Sequence, residues 1–150
     1  MTMLKYVFCF AILAVSLRNV KTHISQETEA ALMDFMRDAV VECAKDFSLN
    51  VDDLKEQHKS KDSLDGVDKC FVGCILKKKG VINEGGKYDL DRGLEIMREL
   101  IANDDDYKVL ETTSKDCVSV NDETVSDGDK GCDRAFLLMA CLKKEKEGTK

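Results

Sequence analysis

From Ser25 onward, apolar residues return at helical spacing among charged ones. Leu32, Met36, Ala39, Val40, Cys43 and Phe47 fall at steps of +4, +7, +8, +11 and +15, which trace one face of a helix. Ser25 is its predicted N-cap, with Glu27 and Glu29 in the first turn. A short second helix is predicted from Asn50, where Asp52 and Asp53 favour the positive end of the dipole and Leu54 is the buried residue. The third is the clearest: Val67, Cys70, Phe71, Cys74 and Ile75 fall at +3, +4, +7 and +8. Lys77, Lys78 and Lys79 fill its last turn as a solvated end, and Gly80 stops it.

Val81-Ile82 and the turn Asn83-Glu84-Gly85-Gly86 lead to a fourth helix capped near Asp89, with Leu90, Leu94, Met97 and Ile101 on its face. It ends between Asn103 and Asp106, and a fifth helix runs from about Tyr107 through Leu110 and Thr113 to Cys117. A polar loop, Ser119 to Gly131, carries Asp122, Glu123, Asp127 and Asp129. The sixth helix, Cys132 to about Lys144, is apolar all round in its middle (Ala135 to Ala140), which predicts a central, buried position.

Composition narrows this picture. The 150 residues suffice for one domain, and 43% hydrophobic residues build a core despite 35% charged ones. Pro is absent, and Val, Ile, Tyr and Phe are too sparse to alternate in runs, which argues against an all-β chain. With a net charge of −6 and no basic stripe, a nucleic-acid partner is excluded.

Before Ser25 lies a targeting signature. Lys5 precedes an apolar run from Tyr6 to Val15, of the length of a secretory h-region and short of the roughly 20 residues needed to span a bilayer. Residues 1–16 are read as a signal peptide, with Ala14 and Ser16 as the small residues at the cut and a later option after Thr22. Residues 17–150 are the secreted domain, without a membrane span. Cleavage after Thr22 leaves 20 bases against 29 acids, so that domain is acidic.

Cysteine count supports the same compartment. Cys9 leaves with the signal, and an even set of six remains (Cys43, Cys70, Cys74, Cys117, Cys132 and Cys141), which in an oxidising compartment predicts three disulfides. Cys70 and Cys74 project from one helix face one turn apart, and reach two different partner elements better than each other. Cys132 and Cys141 are nine steps of about 100° apart, so they leave the sixth helix in opposite directions. Fifteen pairings remain possible, with interlocked staples favoured over a nested set. A zinc site is disfavoured: no second Cys pair or nearby His completes a tetrahedral set.

The spacing Cys43-x₂₆-Cys70-x₃-Cys74-x₄₂-Cys117-x₁₄-Cys132-x₈-Cys141 resembles the six-cysteine signature of insect odorant-binding proteins, the pheromone and general odorant carriers. The segments Lys79-Gly80-Val81-Ile82, Gly85-Gly86-Lys87-Tyr88-Asp89 and Cys132-Asp133-Arg134-Ala135-Phe136 are similar to that family too. The resemblance implies an all-α, six-helix, disulfide-stapled fold around an apolar cavity, with the pairs Cys43–Cys74, Cys70–Cys132 and Cys117–Cys141. It implies a secreted carrier for small hydrophobic volatile or lipid-like ligands in sensillum lymph or another extracellular fluid. An odorant receptor is a further partner, and the oligomeric state is a monomer or weak homodimer. Two features depart from the family: the Cys117–Cys132 interval is long, reading as a rim insertion, and the tail after Cys141 is too short and polar to fold into a cavity.

Within such a cavity the inward-facing candidates are Met36, Leu54, Phe71, Ile75, Leu90, Leu94, Met97, Leu110, Ala135, Phe136, Met139 and Leu142. Ala135, Met139 and Leu142 share one helix face, and flexible, polarizable methionines suit several ligand shapes. Phe71 or Phe136 supplies aromatic contact, while Thr113 and Tyr107 are the candidate hydroxyl handles. Burying about 300 Å² of ligand contributes about 7 kcal/mol before association costs, which predicts micromolar rather than picomolar binding.

Two rival readings come from other classes. A small lipid hydrolase needs a positioned base, yet His23 lies beside the processing site and His58 in a hydrophilic helix end, neither with a nucleophile motif. Asp127-Gly128-Asp129 lacks the ligand spacing of an EF-hand. No enzyme activity, metal or cofactor is therefore expected. The other rival is a secreted helical interaction or lipid-scavenging protein of a non-olfactory tissue. A pH response through the acidic loop or His58 is a further expectation.

Overall fold

A computed structural model describes residues 24–60 and 66–148. The proposed signal peptide, Cys9 and His23 lie outside the described residues, as does the His58 side chain. Six α-helices and two short 3₁₀ turns follow one another, and no strand forms among the described residues beyond an isolated antiparallel bridge between Ile82 and Tyr88.

Helix α1 spans Gln26–Asp46, and the Ser25 hydroxyl accepts the Thr28 N–H as its N-cap. Helix α2 spans Val51–Ser60, where the Asn50 side chain accepts the Asp52 N–H at 2.9 Å. Helix α3, Lys69–Lys78, starts two residues later than the Val67 periodicity suggests. Asp68 is the reason: its Oδ1 accepts the N–H groups of Cys70 and Phe71 at 2.7 and 3.1 Å. Helix α4 spans Leu90–Leu100 behind its cap Asp89.

Helix α5, Asp104–Asp116, begins a turn before the expected Tyr107, because the Asn103 side chain accepts from Asp105 and Asp106 while three acids occupy the first turn. Helix α6 reaches from Cys132 to Gly148, since Leu142 to Glu147 are all good helix formers.

Three disulfides join the helices: Cys43–Cys74 ties α1 to α3, Cys70–Cys132 ties α3 to α6, and Cys117–Cys141 ties the end of α5 to α6. Each contributes about 2–4 kcal/mol by restricting the unfolded chain. Helix α3 packs most extensively on α6. Gly73 permits the approach, because a Cβ there would lie 3.2 Å from the Cys132 Cα.

The buried residues form two clusters. One gathers Leu76, Ile82, Tyr88, Cys117, Val120, Ala135 and Leu138; the other gathers Cys43, Ala44 and Phe71, with Phe47 meeting the Phe71 ring edge-on at 5.9 Å. Helix α3 serves both, because Ile75 and Leu76 are consecutive and their side chains diverge by about 100°.

Three sequence readings change. The lysine run is not simply solvated: Lys79 reaches Asp38 at 2.5 Å over the Phe35 ring, Lys78 reaches Glu42 at 3.0 Å, and Lys77 donates to the Asp129 carbonyl. These contacts fasten α3 to α1 and to the late loop. Helix α6 is not buried all round, because an apolar run longer than one turn must point some residues outward. Ala140 is exposed and Phe136 half-buried, whereas Arg134 is 3% exposed.

The interval from Ser119 to Gly131 is also more than a polar rim. The 3₁₀ turn Cys117–Asp122 runs into it and the turn Gly128–Lys130 lies within it. Asp127 accepts the N–H groups of Cys132 and Asp133, capping α6 from outside the helix. The Arg134 guanidinium donates to the carbonyls of Val120 and Glu123.

Candidate functional site

Each expected ligand contact has a definite place. Met36 of α1, Leu90 of α4, and Met139 and Leu142 of α6 are half-buried and pack against the larger cluster, to which fully buried Ala135 belongs. Phe71 is buried in the smaller cluster, and half-buried Leu54 and Ile75 pack on it. Leu94, Met97, Leu110 and Thr113 lie half-buried on α4 and α5. Phe136 is half-buried beneath Lys69, whose Nζ stands 5.5 Å from the ring centroid. Eleven of the twelve apolar candidates thus divide among two clusters and the α4–α5 pair, and Phe136 stands apart on α6.

Leu94 and Tyr107 also line an open groove of about 490 Å³ on the outside of α4 and α5, with Asp91, Glu95 and Arg98. Arg98 covers the Tyr107 ring at 4.1 Å and pairs with Asp104 at 3.1 Å. Two carboxylates and a guanidinium keep this groove wet, so an apolar guest gains little from it. Tyr107 is therefore engaged at the surface.

The interior holds two hydroxyls that periodicity did not single out. Tyr88, 6% exposed, donates to the Ser114 carbonyl across 3.5 Å. Ser114, also 6% exposed, turns its hydroxyl toward the Met97 sulfur at 3.9 Å. Burial pushes the Tyr88 phenol above its ordinary range, while the Ser114 contact pulls the other way. The Tyr88 backbone is fixed by the Asn121 side chain, which accepts its N–H at 2.8 Å and donates to its carbonyl at 2.9 Å. The sequence signal at Tyr88 is its place in the family-like segment Gly85-Gly86-Lys87-Tyr88-Asp89, which assigns its hydroxyl no role.

Among the described residues no three metal-ligating side chains gather, and no helix is long and apolar enough to cross a membrane.

Residues 25–145 match the model of the PBP/GOBP family. The chain belongs to the PBP/GOBP family. Its fold is similar to that of a solved odorant-binding protein from Drosophila melanogaster, with a TM-score of 0.57 at 23% identity, over 82% of this chain and 97% of that one. At that identity the likeness concerns the fold alone. None of the curated proteins matches the chain significantly.

Proposed function

We propose that this PBP/GOBP family member is a secreted carrier that holds one small hydrophobic ligand in its interior and moves it through an aqueous extracellular fluid. The observation that carries the reading is a set of apolar side chains that stay partly accessible beside the buried clusters, Met36, Leu90, Met139 and Leu142 on one and Leu54 and Ile75 on the other. Here apolar side chains keep uncovered surface that a guest can cover, at about 25 cal/mol per Å².

The rest of the molecule supports that role. Three disulfides hold the helices to one another. Flexible methionines at Met36, Met97 and Met139 adapt to ligand shape. Residues 1–16, or up to 22, serve as the secretory leader.

Displacement of a fluorescent probe by C10–C16 alcohols and esters tests the reading. Micromolar displacement is the expected result; none at about 100 μM of competitor contradicts it.

A further inference from the structure

We propose that Tyr88 is the hydrogen-bond donor that makes this carrier select ligands bearing an acceptor oxygen (aldehydes, ketones and esters), receiving that oxygen beside Gly93 with the help of the Ser114 hydroxyl. The inference rests on the carrier reading and adds to it a ligand class and the residue that chooses it.

Three observations converge on the same spot. First, the Tyr88 hydroxyl is buried, yet its bond to the Ser114 carbonyl is 3.5 Å long, against about 2.7–2.8 Å for a well-formed O–H···O bond. A buried hydroxyl bonded so weakly retains most of its capacity to donate. Second, the Ser114 hydroxyl is equally buried and has a thioether as its partner, a weak acceptor. Third, Gly93 of α4 is buried, and a methyl group added there would come into ordinary contact with the Tyr88 ring edge and hydroxyl, both at 3.8 Å. Room for one methyl-sized group therefore adjoins the hydroxyl.

An oxygen placed in that space replaces a long contact with a short one, whereas an alkane there leaves the donor as it was. Selectivity follows from this difference. The donor is preorganised, because Asn121 holds the Tyr88 backbone on both sides and Ile82 bridges to it. Leu90, Met139 and Leu142 pack on the cluster that contains Tyr88, so an alkyl chain attached to the oxygen finds apolar surface at once.

The test uses the oxidised full chain, N-phenyl-1-naphthylamine as the displaced probe, and dodecane, dodecanal and dodecyl acetate as matched competitors. The wild type is expected to bind the aldehyde and ester roughly 3-fold to 10-fold more tightly than dodecane. Tyr88→Phe erases that margin, lowering aldehyde and ester affinity by a larger factor than it changes dodecane affinity. Gly93→Ala, a helix-favouring change, keeps the fold and lowers acceptor binding by filling the space. Infrared spectra of bound dodecyl acetate place its carbonyl stretch lower in the wild type than in Tyr88→Phe.

Equal weakening of all three ligands in Tyr88→Phe, or no change in any, overturns the inference. So does an unmoved carbonyl stretch. Wild-type binding without preference removes the donor role and leaves the carrier standing, while failure of every competitor to displace the probe removes both. If Tyr88→Phe does not fold, the Gly93→Ala affinities and the frequency of the wild-type complex against free ester in hexane decide the matter.

Discussion

The Asp106 carboxylate, in the first turn of α5, accepts the Thr28 hydroxyl in the first turn of α1 at 2.6 Å. The same oxygen accepts the Ser25 hydroxyl at 2.5 Å and the Ser25 N–H at 3.1 Å. Three donors from the start of α1 thus meet one buried carboxylate, and the entrance of α1 is fixed to α5.

These bonds, the Ser25 hydroxyl foremost and Thr28 next, hold the Asp106 carboxyl below its ordinary range. A carboxylate whose folded pKa is depressed stabilises fully above its unfolded value of about 4, and that contribution is lost as pH falls through the lower folded value. Asp133 behaves alike: the Ser126 hydroxyl and N–H and the Lys69 ammonium bring it to about 2. The expected result is unchanged protection of the α1 N-terminus between pH 7 and 5 and loosening below pH 4, read by amide exchange at Thr28 and Glu29. Asp106→Asn speeds exchange there already at pH 7. Loosening near pH 6 in the wild type contradicts this account.

Arg134 holds the interval before α6 closed. Its truncation to Met keeps the apolar stem and strands the carbonyls of Val120 and Glu123. A cost of about 1–3 kcal/mol is expected in urea unfolding. A change below about 0.5 kcal/mol, the usual range for a surface substitution, refutes the buried role.

Two glycines separate backbone conformation from crowding. Gly86 has φ +72°, and a Cβ there would stand 2.6 Å from the Gly128 carbonyl oxygen; Gly66 has φ +82° with open space around it. Gly66→Ala is expected to cost about 1 kcal/mol, from backbone strain alone. Gly86→Ala costs more, because the 3₁₀ turn Gly128–Lys130 must move as well. Equal costs by thermal unfolding argue against that contact.

Adjacent residues on α6 distinguish core from ligand surface. Leu138 is 1% exposed, and Leu138→Ala is expected to cost about 2–5 kcal/mol. Met139 is half-buried, so Met139→Ala costs less stability while weakening ligand binding severalfold. The opposite order, measured by urea unfolding and probe displacement, contradicts a ligand role for Met139.

Local signals were legible in the sequence where local forces decide the structure. The Ser25 and Asp89 caps mark helix starts, because a capping side chain bonds to N–H groups two or three residues away, and Gly80 marks an end because it adopts the left-handed φ of +77°. The opening of α5 lies a turn before Tyr107, because the short amide of Asn103 is a stronger start signal than the aromatic residue. The polar ties stayed hidden for another reason. Asp106 lies 81 residues from Ser25, Tyr88 lies 26 from Ser114, and Arg134 lies 14 from Val120. No periodicity encodes a hydrogen bond between helices. Periodicity also gives the same signal for a residue in a packed core and one facing a ligand, so Phe71 and Met139 read alike although one is buried and the other half-covered.

The central claim is that three disulfides hold a helical shell around room for one small apolar guest. Native mass spectrometry of the oxidised, leader-free protein with equimolar dodecyl acetate tests it most directly, because a single spectrum reports bridges and occupancy together. The account predicts a mass six hydrogens below the reduced chain and a complex of one ligand per chain. Free thiols, or a protein that stays unliganded at about 100 μM ester, would contradict it.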